Sequence, residues 1–356
     1  MTSVKTTAPT DLKKAWANLL TLSPTLRIRD AAFHLGVSEV ELLAIEDKGT
    51  VIRLKPKHTE MLQDLHRLGQ IMALTRNDEI VHERQGEYKN VQVLSEHGTM
   101  GLVVNEDIDL RIFFAHWHFA FAVASESERG KNRSFQFFDR YGTAIHKVFL
   151  TEHSDIGAYE KLTAKYKNSD CNRMVEVQLK PNQKSEKSDR AINIEAFRSA
   201  WSKLEDTHDF FPMLRKFGVA REQALRLADA EMARKVDAGA YKFVLEEASR
   251  RQLPIMIFVG NAGIIQIHTG MIEKVIEARG WFNVLDKRFN LHIDQEKIRR
   301  AWVVKKPTAD GIVTSLELFN GAGENVALFF GQRKPGVPEG EEWRQLIRDL
   351  TVACSE

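Results

Sequence analysis

The chain matches itself at a nearly constant distance. Moved on by 181 positions, Leu110-Arg111-Ile112 meets Leu291-His292-Ile293, Ala120 meets Ala301, Phe121 meets Trp302, and Phe135 to Phe138 meets Leu316 to Phe319. Upstream the distance drifts to 184: Ile71 and Met72 match Ile255 and Met256, Asn77 matches Asn261, Gly86 matches Gly270 and Val91 matches Val275. Near the start of each half, Ala15-Trp16 matches Ala200-Trp201 at 185, and Gly36-Val37 matches Gly218-Val219 at 182. An ordered series with small drift is what a tandem duplication with short insertions leaves. So long a period makes each copy a whole domain rather than a solenoid turn. The polar stretch Leu179 to Arg190 has the composition of a linker or exposed loop. The expected organisation is an N-terminal repeat over 1–178, a linker over 179–190 and a C-terminal repeat over 191–356.

Each copy opens with helical patterns. Leu12, Trp16, Leu19 and Leu20 follow i, i+4, i+7, i+8 spacing, and Ser38 offers an N-cap to Glu39 through Ile45. Phe197, Trp201 and Leu204, then Arg221 through Ala228, repeat the pattern. Later segments turn to strand character: Asn90 to Leu94, Gly101 to Val104, Leu110 to Val123 and Ser134 to Phe138 in the first copy. The second copy has Ile255 to Val259, Gly263 to His268, Trp281 to Leu285, Trp302 to Val304 and Val313 to Phe319. Short turns between consecutive strands require antiparallel pairing, since parallel strands need long crossovers. The fold class is α+β, each half carrying N-terminal helices followed by a large antiparallel β-sheet.

Several function classes are disfavoured. Lys plus Arg is 51 against 49 Asp plus Glu, a formal charge of +2 that gives little support to nucleic-acid binding as the main role. Cys171 and Cys354 form no Cys-x-x-Cys pair, which argues against a disulfide framework, a zinc ribbon or an iron–sulfur site. Met1 to Thr7 lacks the apolar stretch of a secretory signal, and no apolar run approaches ~18 residues, so a cytoplasmic protein is expected. Phosphate loops, dinucleotide fingerprints, zincin motifs and nucleophile elbows are not seen.

Three places could carry chemistry. His116 and His118 stand two apart in an expected strand, on one face with Ile112 and Phe114. Without a third ligand in view they read as sheet-face histidines. Arg111 falls on the other face with Phe113, Trp117 and Phe119, as a surface cation–π contact or as a group facing a flat ligand. His208 stands in the segment Glu205 to Gly218 near an expected break between helices, because Pro212 belongs in a first turn and Gly218 suits a stop. The first copy has Ser23 to Leu26 at that place and no histidine.

The segments Asp206-Thr-His-Asp-Phe-Phe211, Asp109-Leu-Arg-Ile-Phe113, Ile255 to Asn261, Ala301 to Pro307, Thr314 to Phe319 and Gly331-Gln-Arg333 together resemble the bacterial cytoplasmic haem-utilisation proteins of the HemS/ChuS/PhuS type. The resemblance runs through both halves. It implies haem b as ligand, in a cleft between the halves, with His208 as the proximal iron ligand. Arg111 would lie on the distal side, with Phe113 packed on the macrocycle. Arg221, Lys306 and Arg333 match basic positions that serve the propionates. Phe330 stands where many relatives have Tyr, which puts any role of that hydroxyl in doubt. Asp209, Phe210 and Phe211 follow His208, so no neighbouring histidine is available for ligand exchange.

The resemblance leaves two readings open. One is an enzyme of iron acquisition that opens the porphyrin ring with an external electron donor, Arg111 then being catalytic. The other is a haem chaperone that hands its cargo to a separate haem oxygenase. Other implied partners are an inner-membrane haem importer and a second copy of the chain; a monomer is equally compatible. Nucleic-acid binding is a remote alternative.

Overall fold

The computed structural model describes residues 9–46, 50–94, 99–127, 130–169, 175–181, 185–334 and 336–354. Met1 to Thr7, Cys171 and linker positions 182–184 lie outside them. The first repeat runs α1 (Pro9–Leu22), α2 (Ile28–Leu35), α3 (Glu39–Ile45), β1 (Thr50–Arg53), α4 (His58–Asp64), β2 (Gly69–Arg76), β3 (Ile80–Glu87), β4 (Val91–Val93), β5 (Met100–Val104), β6 (Asp109–Phe113), β7 (Phe119–Ser127), β8 (Gly130–Phe138), β9 (Ala144–Ser154) and α5 (Ile156–Tyr166). The second runs α6 (Ile194–Ser202), α7 (Phe210–Phe217), α8 (Arg221–Leu227), β10 (Ala233–Val236), α9 (Ala240–Arg250), β11 (Ile255–Asn261), β12 (Ile264–Gly270), β13 (Val275–Ala278), β14 (Trp281–Leu285), β15 (Phe289–Asp294), β16 (Arg300–Thr308), β17 (Gly311–Phe319), β18 (Asn325–Gly331) and α10 (Glu341–Ala353).

The chain packs into two compact units that are not continuous in sequence. The first holds residues 1–75, 85–181 and 262–264, and the second 76–84, 182–261 and 265–356. In the first unit β1-β7-β8-β9-β2 form one antiparallel ladder and β4-β5-β6 another. In the second, β10-β16-β17-β18-β11 repeat the first order, and β13-β14-β15 continue onto residues 80–84 of β3. The duplication read from sequence is therefore a duplication of strand order as well. Gly36 and Gly218, 182 apart, both end a helix with φ of +65°, a conformation that glycine adopts without a Cβ penalty.

Period-two alternation explains how one strand serves two cores. On β16, Ala301 and Val303 join the core built with α9 and α10, whereas Trp302 and Val304 join the core under α6, α7 and α8. The first unit divides likewise: Ala120 and Ala122 pack with α4 and α5, Phe119 and Phe121 with α3. Lys306 continues the Trp302 side of β16. On β17 the same side carries Ser315, Glu317 and Phe319, paired across the ladder as Glu317 with Trp302 and Ser315 with Val304.

One expectation is corrected. The strand over Leu110 to Val123 is two strands, because the chain leaves β6 at Phe113 and makes a 3-10 turn over Phe114–His116. The turn closes with Trp117 N donating to Phe114 O at 3.0 Å. Trp117 then buries its indole and donates Nε1 to Gly263 O at 2.9 Å, a gain of core contact and polar satisfaction that outweighs strand continuity. His116 and His118 consequently do not share a sheet face, nor does Arg111 share one with Trp117.

Candidate functional site

The second unit builds the more developed site, on the α6–α8 side of its sheet. A 3-10 turn over Thr207–Asp209 joins α6 to α7, and His208 stands in it with its side chain 91 % exposed. Asp206 caps the turn. One carboxylate oxygen accepts from His208 N at 2.8 Å and from His208 Nδ1 at 2.7 Å. The Asp206 carboxyl is held below its usual range, first by the backbone N–H of His208. An ionised carboxylate only accepts, so Nδ1 carries a proton, and in the neutral ring the lone pair falls on Nε2. This is the arrangement by which a carboxylate fixes the tautomer of a metal-binding imidazole.

Just beyond, Pro212 sits in the first turn of α7, where its missing N–H costs nothing. Phe210 is buried edge-on against Trp201 at 4.8 Å, while Phe211 is 56 % exposed. Arg221, the first residue of α8, lies over both rings, 5.4 Å from the centre of Phe210 and 5.0 Å from that of Phe211. Lys306 Nζ lies 4.6 Å from the centre of Phe210.

Both cations converge on Glu317, which is fully buried. Arg221 grips it with Nε at 2.8 Å and Nη2 at 2.9 Å, Lys306 donates at 2.7 Å, and Ser315 Oγ donates at 3.2 Å. Burial works to raise the Glu317 carboxyl, but Arg221 and Lys306 outweigh it and hold the group well below the usual carboxylate range. Burial lowers Lys306, with Glu317 opposing. The cluster carries a net positive charge held in place by its own counter-ion. Arg333 stands apart, 3.8 Å from Asp310, and Phe330 packs edge-on to Phe258 at 5.1 Å.

The first unit departs from this pattern position by position. The residues 181 before Lys306, Ser315 and Glu317 are Ser125, Ser134 and Gln136, and 182 before Arg221 is Glu39. Gln136 Nε2 donates to Ser134 Oγ at 3.0 Å, and Glu39 pairs with Lys147. The fold therefore does not require the Arg221–Glu317–Lys306 triad; the second copy carries it for another reason. In the first unit Asp109, Arg111 and Phe113 share the half-exposed face of β6, as alternation requires. Arg111 pairs with Asp109 and donates to Leu110 O at 3.3 Å. Burial raises the Asp109 carboxyl, with Arg111 opposing.

Sequence reading missed Asp206 and Glu317. An Asp two residues before a histidine at a helix break signals a capped turn. A carboxylate between Leu316 and Leu318, in a strand with no other charge from Val313 to Phe319, signals a buried partner for cations.

Fold and site define a duplicated α+β protein whose second repeat presents an oriented, exposed histidine beside a buried cation cluster. The family described as the haemin-degrading HemS.ChuX domain matches residues 36–166 and 218–350. The hemin transport protein HemS of Yersinia enterocolitica is 39% identical over 329 residues, covering 92% of this chain and 94% of that protein. Among solved structures, the holo form of PhuS, a heme-binding protein from Pseudomonas aeruginosa, is 46% identical with a TM-score of 0.92, covering 96% of this chain and 98% of that one. The heme-degrading enzyme ChuS of Escherichia coli O157:H7 is 33% identical with a TM-score of 0.88, over 96% and 99% of the two chains. The chain belongs to this haem-utilisation family, as its motifs indicated. Among the described residues no helix is long and apolar enough to cross a membrane.

Proposed function

We propose that the chain binds haem b as cargo and substrate in haem uptake and iron acquisition in the cytoplasm, and either delivers it or degrades it. The observation that carries the proposal is the Asp206–His208 bond, which engages Nδ1 and leaves Nε2 of an exposed ring for a ligand. His208 Nε2 binds the iron, and Asp206 keeps the proton on Nδ1 and raises the basicity of the ligand. Phe211 offers an exposed ring beside it. The triad supplies one net positive charge toward the propionates, and Arg333, 3.8 Å from Asp310, adds hydrogen-bond donors. Arg111 serves the haem as a hydrogen-bond donor, with Phe113 against the macrocycle. Bound haem supplies the iron and, with oxygen and an external electron donor, the chemistry that opens its own ring. The protein's part is to hold, orient and hydrogen-bond.

The names of the relatives support both outcomes, transport for HemS and degradation for ChuS. They are separated by titrating haem anaerobically, then admitting air with an electron donor and catalase while following the Soret band. Decay with release of an open tetrapyrrole identifies an enzyme. A complex that persists identifies a carrier that passes haem to a separate oxygenase. Absence of a stoichiometric complex overturns both.

A further inference from the structure

The first unit holds a cavity of about 220 Å³ lined chiefly by Arg53, His58, Trp117, His118, Phe119 and Asn168. The ionisable side chains in its lining are Arg53, His58 and His118, and none of the described lining residues is acidic. The Arg53 guanidinium is seated 5.7 Å from the centre of the Phe119 ring. His58 is 8% exposed, and its Nε2 is buried without a hydrogen-bond partner among the described residues. Such groups are rare in folded proteins and call for an explanation.

The second repeat shows that the fold does not need this imidazole. His58 and Ala240, 182 apart, each open the helix that follows the first strand of the ladder. Trp117 and His118 correspond to Ile298 and Arg299. His118 N donates to Phe138 O at 2.8 Å, and Arg299 N to Phe319 O at 2.9 Å. Ala240 and Ile298 are plain core residues. The first repeat thus places a buried, unpartnered imidazole and an indole where its duplicate places alanine and isoleucine, and it opens a cationic cavity there.

We propose that this cavity binds a small planar carboxylate, with Arg53 and His118 serving the carboxylate and Trp117 and Phe119 walling the flat body behind it. The volume fits a single ring, since a cavity of about 150 Å³ admits benzene. It falls below the ~300–1,000 Å³ of sites for larger ligands, so a macrocycle is excluded. Burial, followed by the charge of His118, holds His58 down to about 4. At neutral pH it is therefore uncharged, and Arg53 supplies the charge.

The test is a titration of benzoate into the full chain, read through the NMR signals of its histidines. Saturable shifts at His58 and His118 are expected. Arg53→Ala weakens binding by about tenfold or more. His118→Ala, at a place where the second repeat folds with Arg299, abolishes the response at His58 and leaves the haem spectrum unchanged. Shifts that do not saturate, or that survive both substitutions, overturn the site. Equal affinity for inorganic phosphate overturns its assignment to planar carboxylates.

Discussion

Asp206 holds His208 by both its backbone N–H, at 2.8 Å, and its ring Nδ1, at 2.7 Å, so one carboxylate sets both the turn and the tautomer. Removing such a partner costs a metal-binding histidine about 10-fold to 100-fold in affinity. Asp206→Asn keeps the acceptor for the backbone while weakening the grip on Nδ1. Haem affinity is expected to fall within that range, and the iron–histidine stretching band to move to lower frequency. An unchanged band would show that Asp206 serves the turn alone.

Glu317 is the shared counter-ion of buried Lys306 and largely buried Arg221. Breaking a buried ion pair by removing one partner costs about 3–5 kcal/mol. Glu317→Gln is expected to lower stability by that order in denaturant unfolding, although Gln136 is tolerated at the same place in the first unit. Adding Lys306→Ser, after Ser125, should recover part of the loss, because one uncompensated cation is then gone. A Glu317→Gln protein as stable as the parent would show that the triad is not a unit.

Arg111 separates binding from turnover. If the protein degrades haem, Arg111→Ala lowers the rate of ring opening far more than haem affinity, measured by Soret decay and by titration. Equal small effects on both would remove Arg111 from the chemistry.

Buried neutral histidines make the fold acid-sensitive. Burial pushes His58 down to about 4 and His146 and His268 down to about 3, against 6.5 unfolded. A depressed folded value means that the unfolded chain takes up these protons first. Stability is therefore complete above pH ~6.5 and is lost as pH falls toward the folded values, by on the order of 2 kcal/mol per histidine at pH 5. His146 is tied to Thr75 and to Tyr88 in the core. His58→Ala is expected to flatten the fall of melting temperature between pH 6.5 and 4.5, and an unchanged slope would contradict the assignment.

Much of this architecture is legible in the residues. The repeat offset carries through to strand order because each copy must close the same ladder. Pro212 and Gly218 bound α7 through their fixed backbone preferences, which puts His208 in a turn. Other features depend on contacts distant in sequence. The break at Phe114 is decided by where Trp117 finds its core and its acceptor, Gly263. The role of Glu317 is decided by Arg221, 96 residues away, and no local pattern announces that pairing.

The central claim is that His208 ligates the iron, and it is tested most directly by anaerobic haem titration of the parent chain beside His208→Ala. The parent is expected to form a one-to-one complex with the spectrum of a histidine-ligated haem. The variant is expected to lose that spectrum and most of the affinity while melting at the same temperature, since this side chain is exposed. An identical spectrum and stoichiometry in the variant would contradict the account.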